Sequence, residues 1–303
     1  MRVAVTGSTG LIGCALMERL ESAGHQTLPV LRSAPANSSQ KSNQQAVMWD
    51  PPSGDIDAAG LEGCNAVVHL AGEPIASQRW TQTQKQRIAD SRTQSTALLA
   101  ATLAELDAPP EVLVSSSAIG FYGDRGDEEL DESSSSGDGF LAQVCRDWET
   151  AADPARTAGI RVIHPRTGVV LTKSGGALAE MLPFFRLGIG GRIGNGRQWM
   201  SWITLHDEVE ALLWLLQADL EGPVNLTAPQ PVTNSQLTRA LGKALRRPTL
   251  LPTPKPALHA RLGSELADAL LYSSTRVKPV RLMEGGFTFS HGDIATALKA
   301  VLN

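Results

Sequence analysis

The chain has 303 residues, 42% hydrophobic and 19% charged, enough to bury a large core as one main unit with a smaller appended lobe. A net charge of −4 leaves no electrostatic footprint for nucleic acid, and no apolar run approaches the roughly 20 residues that span a bilayer. Cys14, Cys64 and Cys145 are scattered, with no CxxC pair or histidine cluster, so neither a disulfide framework nor a metal site is expected.

The first residues read as an apolar strand over 2–6, not as a basic segment, apolar run and cleavage site, so a cytoplasmic location is expected. The strand runs into glycines spaced three apart, Gly7, Gly10 and Gly13, and then into an amphipathic helix over 11–23 marked by Leu11, Leu16 and Leu20. That arrangement binds a dinucleotide. Gly7 allows the tight turn, Gly10 lets the backbone approach a pyrophosphate, and Gly13 lets the helix lie close on its strand. The stretch through Ser8, Thr9, Leu11 and Ile12 presents the unpaired N–H groups of the helix start to the phosphates.

A second strand over 26–31 ends in Val30-Leu31-Arg32-Ser33. A carboxylate there would take the ribose of NAD. Arg32 instead suits the 2′-phosphate of NADP, with Ser33 adding a hydroxyl, so NADP(H) is predicted in preference to NAD(H). Asp50, after the strand over 46–49, either accepts from the adenine amino group or begins the turn at Pro51-Pro52. The stretches 33–45 and 133–139, rich in small polar residues, are expected to be surface loops.

Further strands are predicted over 66–70, 112–115 and 161–165, with helices over 81–106 and 141–158. The alternation gives an α/β, Rossmann-like doubly wound parallel sheet, a domain over 1–225. Leu70, Ala71, Gly72, Ser115 and Arg166, at strand ends, join the predicted cofactor set. After Arg166 the pattern breaks into Gly-rich connections, and part of 166–205 is assigned to a substrate lobe. A helix over 206–217 and a strand over 224–227 follow, with Asp207 as a cap or first-turn anion. Pro248, Pro252, Pro254 and Pro256 then set off a smaller, mainly helical C-terminal domain over 250–303.

The run from Thr6 to Gly13 combines with Val67-Val68-His69-Leu70-Ala71-Gly72, Ser115-Ser116-Ser117-Ala118 leading to Tyr122-Gly123, and Gly194-Asn195-Gly196 leading to Ile203 and Asp207. Together these resemble the extended short-chain dehydrogenase/reductases, the superfamily of nucleotide-sugar epimerases and dehydratases. Glu73-Pro74-Ile75, Arg79-Trp80, Ser91-Arg92, Phe140-Leu141, Cys145-Arg146-Asp147-Trp148-Glu149 and Arg197-Gln198-Trp199 are similar to an atypical epimerase-like branch, short-chain dehydrogenase family 39U. The tail, with Gly263-Ser264-Glu265, Arg276-Val277 and Gly286-Phe287, resembles the C-terminal domain of unknown function that accompanies this branch. The resemblance spans essentially the whole chain. It implies NADP(H) binding, and the superfamily implies a homodimer. Some relatives carry a cell-division-inhibitor label, and no substrate transfers.

Superfamily enzymes use a tyrosine and a lysine four residues later on one helix, so that the ammonium lowers the phenol pKa while a serine orients the substrate oxygen. Here Leu141 and Cys145, or Phe140 and Val144, fall at those positions, and neither pair shuttles protons. Arg92 stands where the supporting asparagine is usual, and Met200 where an arginine commonly holds a sugar nucleotide. The remaining catalytic candidates are Ser116, Ser117 and Tyr122. Without a neighbouring lysine the Tyr122 phenol should stay near ~10. Arg79 and Lys85 offer cations to an anionic ligand or simply face solvent. His69 and His164 are expected as hydrogen-bonded core residues, and Trp199 and Trp202 as pocket or core. Two readings follow: an NADP(H)-dependent oxidoreductase of unusual or slow activity on a small-molecule substrate, or a non-catalytic cofactor sensor for a regulatory protein partner.

Overall fold

A computed structural model describes residues 1–32 and 46–303. Strand β1 (Arg2–Thr6) buries Val3 and Val5 on one face and Ala4 on the other, as a strand covered on both sides must. Helix α1 (Leu11–Ser22) carries the chain to β2 (Gln26–Leu31), parallel to β1. On that edge β3 (Val47–Asp50) and the antiparallel β4 (Asp55–Ile56) follow, then α2 (Ala58–Leu61). Beyond β1 lie β5 (Ala66–His69), helix α3 (Gln82–Ala104), β6 (Val112–Ser115) and its continuation β7 (Ser117–Ala118).

After β8 (Glu129–Leu130) come α4 (Phe140–Thr150), α5 (Asp153–Thr157) and β9 (Arg161–Thr167). The helix expected over 141–158 is thus two helices. Pro154, which has no N–H and fits only a first turn, sits at the start of α5. Next are β10 (Val169–Leu171), α6 (Gly176–Arg186), β11 (Trp199–Met200), β12 (Trp202–Thr204), α7 (Leu205–Leu215) and β13 (Gly222–Leu226). The main sheet runs β13-β9-β6-β5-β1-β2-β3-β4, all parallel except at β4, and β7 pairs with β9. Strand order reverses between β1 and β5, and the crevice outside their carboxyl ends is where such sheets bind ligands.

Leu16, Leu20, Leu212 and Leu215 of α1 and α7 cover Val3, Val5, Val68 and Val114. Leu99, Leu103 and Ala155 of α3 and α5 cover the opposite face over Ala4, Val67, Leu113 and Val162. The remainder is β14 (Val232–Thr233), α8 (Asn234–Leu245), α9 (Lys255–Leu262), α10 (Ser264–Ala267), β15 (Arg276–Val277), α11 (Val280–Glu284) and α12 (Ile294–Leu302). Helices α6, α8 and α12 share a third core around Leu182, Trp202, Leu241 and Leu298. The tail folds back on the sheet domain: β15 pairs with β8, and the Asp207 carboxylate accepts from the N–H groups of Ser290 (2.9 Å) and His291 (3.0 Å). Asp207 is therefore a first-turn anion, while Thr204 caps α7. Among the described residues no helix is long and apolar enough to cross a membrane.

Candidate cofactor and active site

Gly7 adopts φ +64, and a Cβ there would meet the Leu70 and Ala71 backbone at 2.8–2.9 Å. A Cβ on Gly13 would lie 2.1 Å from the Gly7 carbonyl oxygen, so only glycine lets α1 sit this close to β1. The Gly10 N–H closes the turn on Gly7 O (2.9 Å), and α1 starts there with no side-chain cap. Ser8 is buried, and its hydroxyl has no partner among the described residues. A glycine cradle, an uncapped helix start and an orphaned hydroxyl fit a diphosphate. A groove of about 500 Å³ runs across the turn, bounded by Thr9, Leu11 and Cys14 on one side and by Ser174, Gly175 and Gly176 on the other.

The loop after β5 is pinned to this cradle. Thr6 Oγ1 accepts from the N–H groups of Leu70 (3.1 Å) and Ala71 (3.2 Å), so its own proton goes to His69 Nδ1 (2.7 Å). His69 Nε2 then donates to Thr96 Oγ1 (2.9 Å), and burial pushes the imidazole pKa down to about 3. His164 is held the same way, with Nδ1 toward Ser115 O and a pKa lowered by burial to about 4. Both are neutral core histidines. Gly72 leaves room for the Arg92 guanidinium, which donates to Glu73 O and Ile88 O (both 3.0 Å) and stacks on Trp148.

Arg32 is exposed at the end of β2, and Ser33 lies outside the described residues. The Asp50 carbonyl accepts from Ser53 N (3.0 Å), so Asp50 does begin the turn at Pro51-Pro52, and its side chain is exposed.

The three serines diverge. Ser115 is fully buried, its hydroxyl without a partner among the described residues, and Ser116 is half-buried, donating its N–H to His69 O (3.0 Å). Ser117 is buried and donates to Glu149 Oε1 (2.7 Å). Arg166 makes a bidentate ion pair with Glu149 (2.8 and 2.9 Å), donates to Tyr122 Oη (3.0 Å) and stacks 3.4 Å from the Phe121 ring centre. The Tyr122 hydroxyl in turn donates to Asn225 Oδ1 (2.7 Å).

Two expectations change here. Tyr122 is no loop acid: it is fully buried, engaged on both sides, and desolvation lifts its pKa to about 12. Arg166 commits its guanidinium to this internal network, with its side chain only 4% exposed, instead of presenting it to a cofactor.

Leu141 and Cys145 face the turn after β7: a Cβ on Gly120 would lie 3.4 Å from Leu141 Cβ and 3.8 Å from Cys145 Sγ. Burial raises the Cys145 thiol to about 11, so it stays protonated. Phe140 instead packs edge-on to Trp80 (5.1 Å). Neither pair has a group that exchanges protons at neutral pH. The two candidate cations are tied to the tail, Lys85 to Glu265 (2.6 Å) and Arg79 to Ala260 O. Trp202 is core; Trp199 donates to Asp127 (2.8 Å) with Arg276 over its ring.

Residues 3–227 match the NAD dependent epimerase/dehydratase family, and residues 253–301 match a domain of unknown function, DUF1731. An epimerase family protein of Mycobacterium bovis is 48% identical over 98% of this chain and 96% of its own length. The chain belongs to the epimerase family. Human epimerase family protein SDR39U1, crystallised with NADPH, superposes with a TM-score of 0.88 at 34% identity over 99% of both chains. A Corynebacterium glutamicum structure described as a nucleoside-diphosphate sugar epimerase is 37% identical with a TM-score of 0.79, this chain covering 58% of it. Within this epimerase family frame, Glu149 and Asn225 are the site residues that sequence reasoning missed. Glu149 was visible only as part of Trp148-Glu149, and nothing in the local sequence pairs it with Ser117 or Arg166.

Proposed function

We propose that this epimerase family chain binds NADP(H) and lacks the tyrosine–lysine proton relay, so that any oxidoreductase chemistry on a small carbonyl or sugar-like substrate is slow. One observation carries the reading: the glycine cradle is intact, whereas the turn after β7 is faced by Leu141 and Cys145. The backbone from Gly7 to Gly13 would hold the diphosphate, Arg32 with Ser33 the 2′-phosphate, and the 70–72 loop and Asp50 the remainder of the nucleotide. The human relative with NADPH supports this choice of cofactor. When bound, NADP(H) supplies hydride chemistry.

Of the three serines, Ser116 is the one left to orient a substrate oxygen, since Ser117 is bonded to Glu149 and Ser115 is fully buried. The closed Ser117–Glu149–Arg166–Tyr122–Asn225 chain favours a second reading, a binding module recognised by a regulatory protein partner when its cofactor is in place.

Steady-state NADPH oxidation across a panel of carbonyls and nucleotide sugars tests the proposal. A missing general acid predicts rates roughly 10²–10⁴-fold below those of relay-bearing enzymes. Turnover at ordinary rates, or turnover that Ser117→Ala or Tyr122→Phe abolishes and Ser116→Ala leaves intact, would contradict it.

A further inference from the structure

Five of the eight large apolar side chains exposed among the described residues lie together. They are Phe184 and Leu187 at the end of α6, Ile189 just beyond it, and Leu250 and Leu251 between α8 and α9. Leu250 is 88% exposed and Leu187 74%. The two segments are fastened to each other: Thr253 N donates to Arg192 O (2.8 Å), and Ile193 bridges Thr253. A Cβ on Gly191 would fall 1.6 Å from Leu251 O, so the leucine segment lies directly on the 187–192 loop. Arg247 N, bonded to Gly242 O (2.9 Å), anchors its other end to α8. Leu178, Leu182 and Phe185 of α6 enter the third core, and Phe184 and Leu187 are left uncovered.

The charge around this patch is mainly positive, and the one nearby carboxylate on α6, Glu180, is paired with Arg261 (3.0 Å). Residues 181–206 and 222–264 contain no aspartate or glutamate and nine lysines and arginines, in a chain whose net charge is −4. Arg186, Arg192, Lys243, Arg246 and Arg247 are exposed around the patch and make no ion pair among the described residues. A twofold contact with a second copy would set these cations against one another. Four of the five apolar tips are aliphatic, which gives nucleic-acid bases little to stack on.

We propose that this face docks on an anionic phospholipid surface, with Leu250, Leu251, Leu187 and Ile189 entering the boundary between headgroups and acyl chains and the cations on the phosphates. The protein lies on the membrane and does not cross it.

Sedimentation of the full chain with vesicles of phosphatidylcholine, with and without one-third phosphatidylglycerol, tests this. Binding is expected to the anionic vesicles, to weaken with salt, and to fall at least roughly tenfold in Leu250→Ser/Leu251→Ser and in Lys243→Glu/Arg247→Glu. Both pairs are on the surface, so NADPH titration and thermal melting should match the wild type. The proposal is overturned by no vesicle binding, by equal binding to neutral vesicles, or by indifference to either pair. A dimer lost in the leucine variant, or tighter binding to an oligonucleotide than to vesicles, also overturns it by assigning the face to another partner.

Discussion

At the residue scale, Glu208 shows how burial sets the pH response of this fold. Its carboxyl is fully buried on α7, accepts from Thr167 Oγ1 (2.8 Å), and leaves its second oxygen without a partner among the described residues. Desolvation raises its pKa to about 8 from an ordinary 4.5, so the folded protein holds this proton where the unfolded chain has released it. Stability therefore falls as pH rises from about 4.5 to about 8 and levels off above. Glu208→Gln keeps the acceptor and removes the titration. Urea denaturation at several pH values should find the variant more stable than wild type by on the order of 1–3 kcal/mol near pH 8, the gain vanishing toward pH 4.5. A gain independent of pH would refute the assignment. His69 and His164, with lowered pKa values, act in the opposite direction and cost stability only as pH falls below about 6.5.

Single positions were readable from sequence when the constraint acts within a few residues. Gly7 and Gly13 are of that kind, because the turn and the helix–strand approach they permit lie within one segment. Ser117 is not: its hydroxyl is claimed by Glu149, 32 positions away, and only the completed sheet brings the two together.

At the scale of elements, the Glu149–Arg166 pair joins α4 to β9, and through Ser117, Tyr122 and Asn225 it reaches β7, the 119–122 turn and β13. The side chains are 14% and 4% exposed, so removing one partner leaves a buried charge uncompensated. Glu149→Ala is expected to cost about 3 kcal/mol by denaturant unfolding, against about 1 kcal/mol for Ser117→Ala, which strands less charge. Equal costs would mean that the network is not organised around the ion pair. Apolar spacing indicated the long elements α3 and α7 to within a few residues, because periodic burial is a local signal. It did not show the break between α4 and α5, where Pro154 competes with an otherwise continuous helical pattern.

Across the whole molecule, the family and the doubly wound sheet were legible from the N-terminal strand–turn–helix and the alternation behind it. The path of the tail was not. Its return to the sheet domain depends on Ser201 Oγ accepting from Val277 N (2.8 Å), on β15 beside β8, and on Asp207 beneath Ser290 and His291. These contacts join residues 76 to 147 positions apart or rest on two-residue strands, which periodicity does not register. The resulting protein keeps the glycine cradle, ties Lys85 and Arg79 to the tail, and sets Leu141 and a buried Cys145 thiol against the turn after β7. Cofactor choice at Arg32 is the most direct test of this protein's function. Titration with NADPH and NADH, followed by fluorescence, should give at least roughly tenfold tighter binding of NADPH, and Arg32→Ala should remove most of that difference. Equal affinities, or a preference unchanged in Arg32→Ala, would contradict that choice.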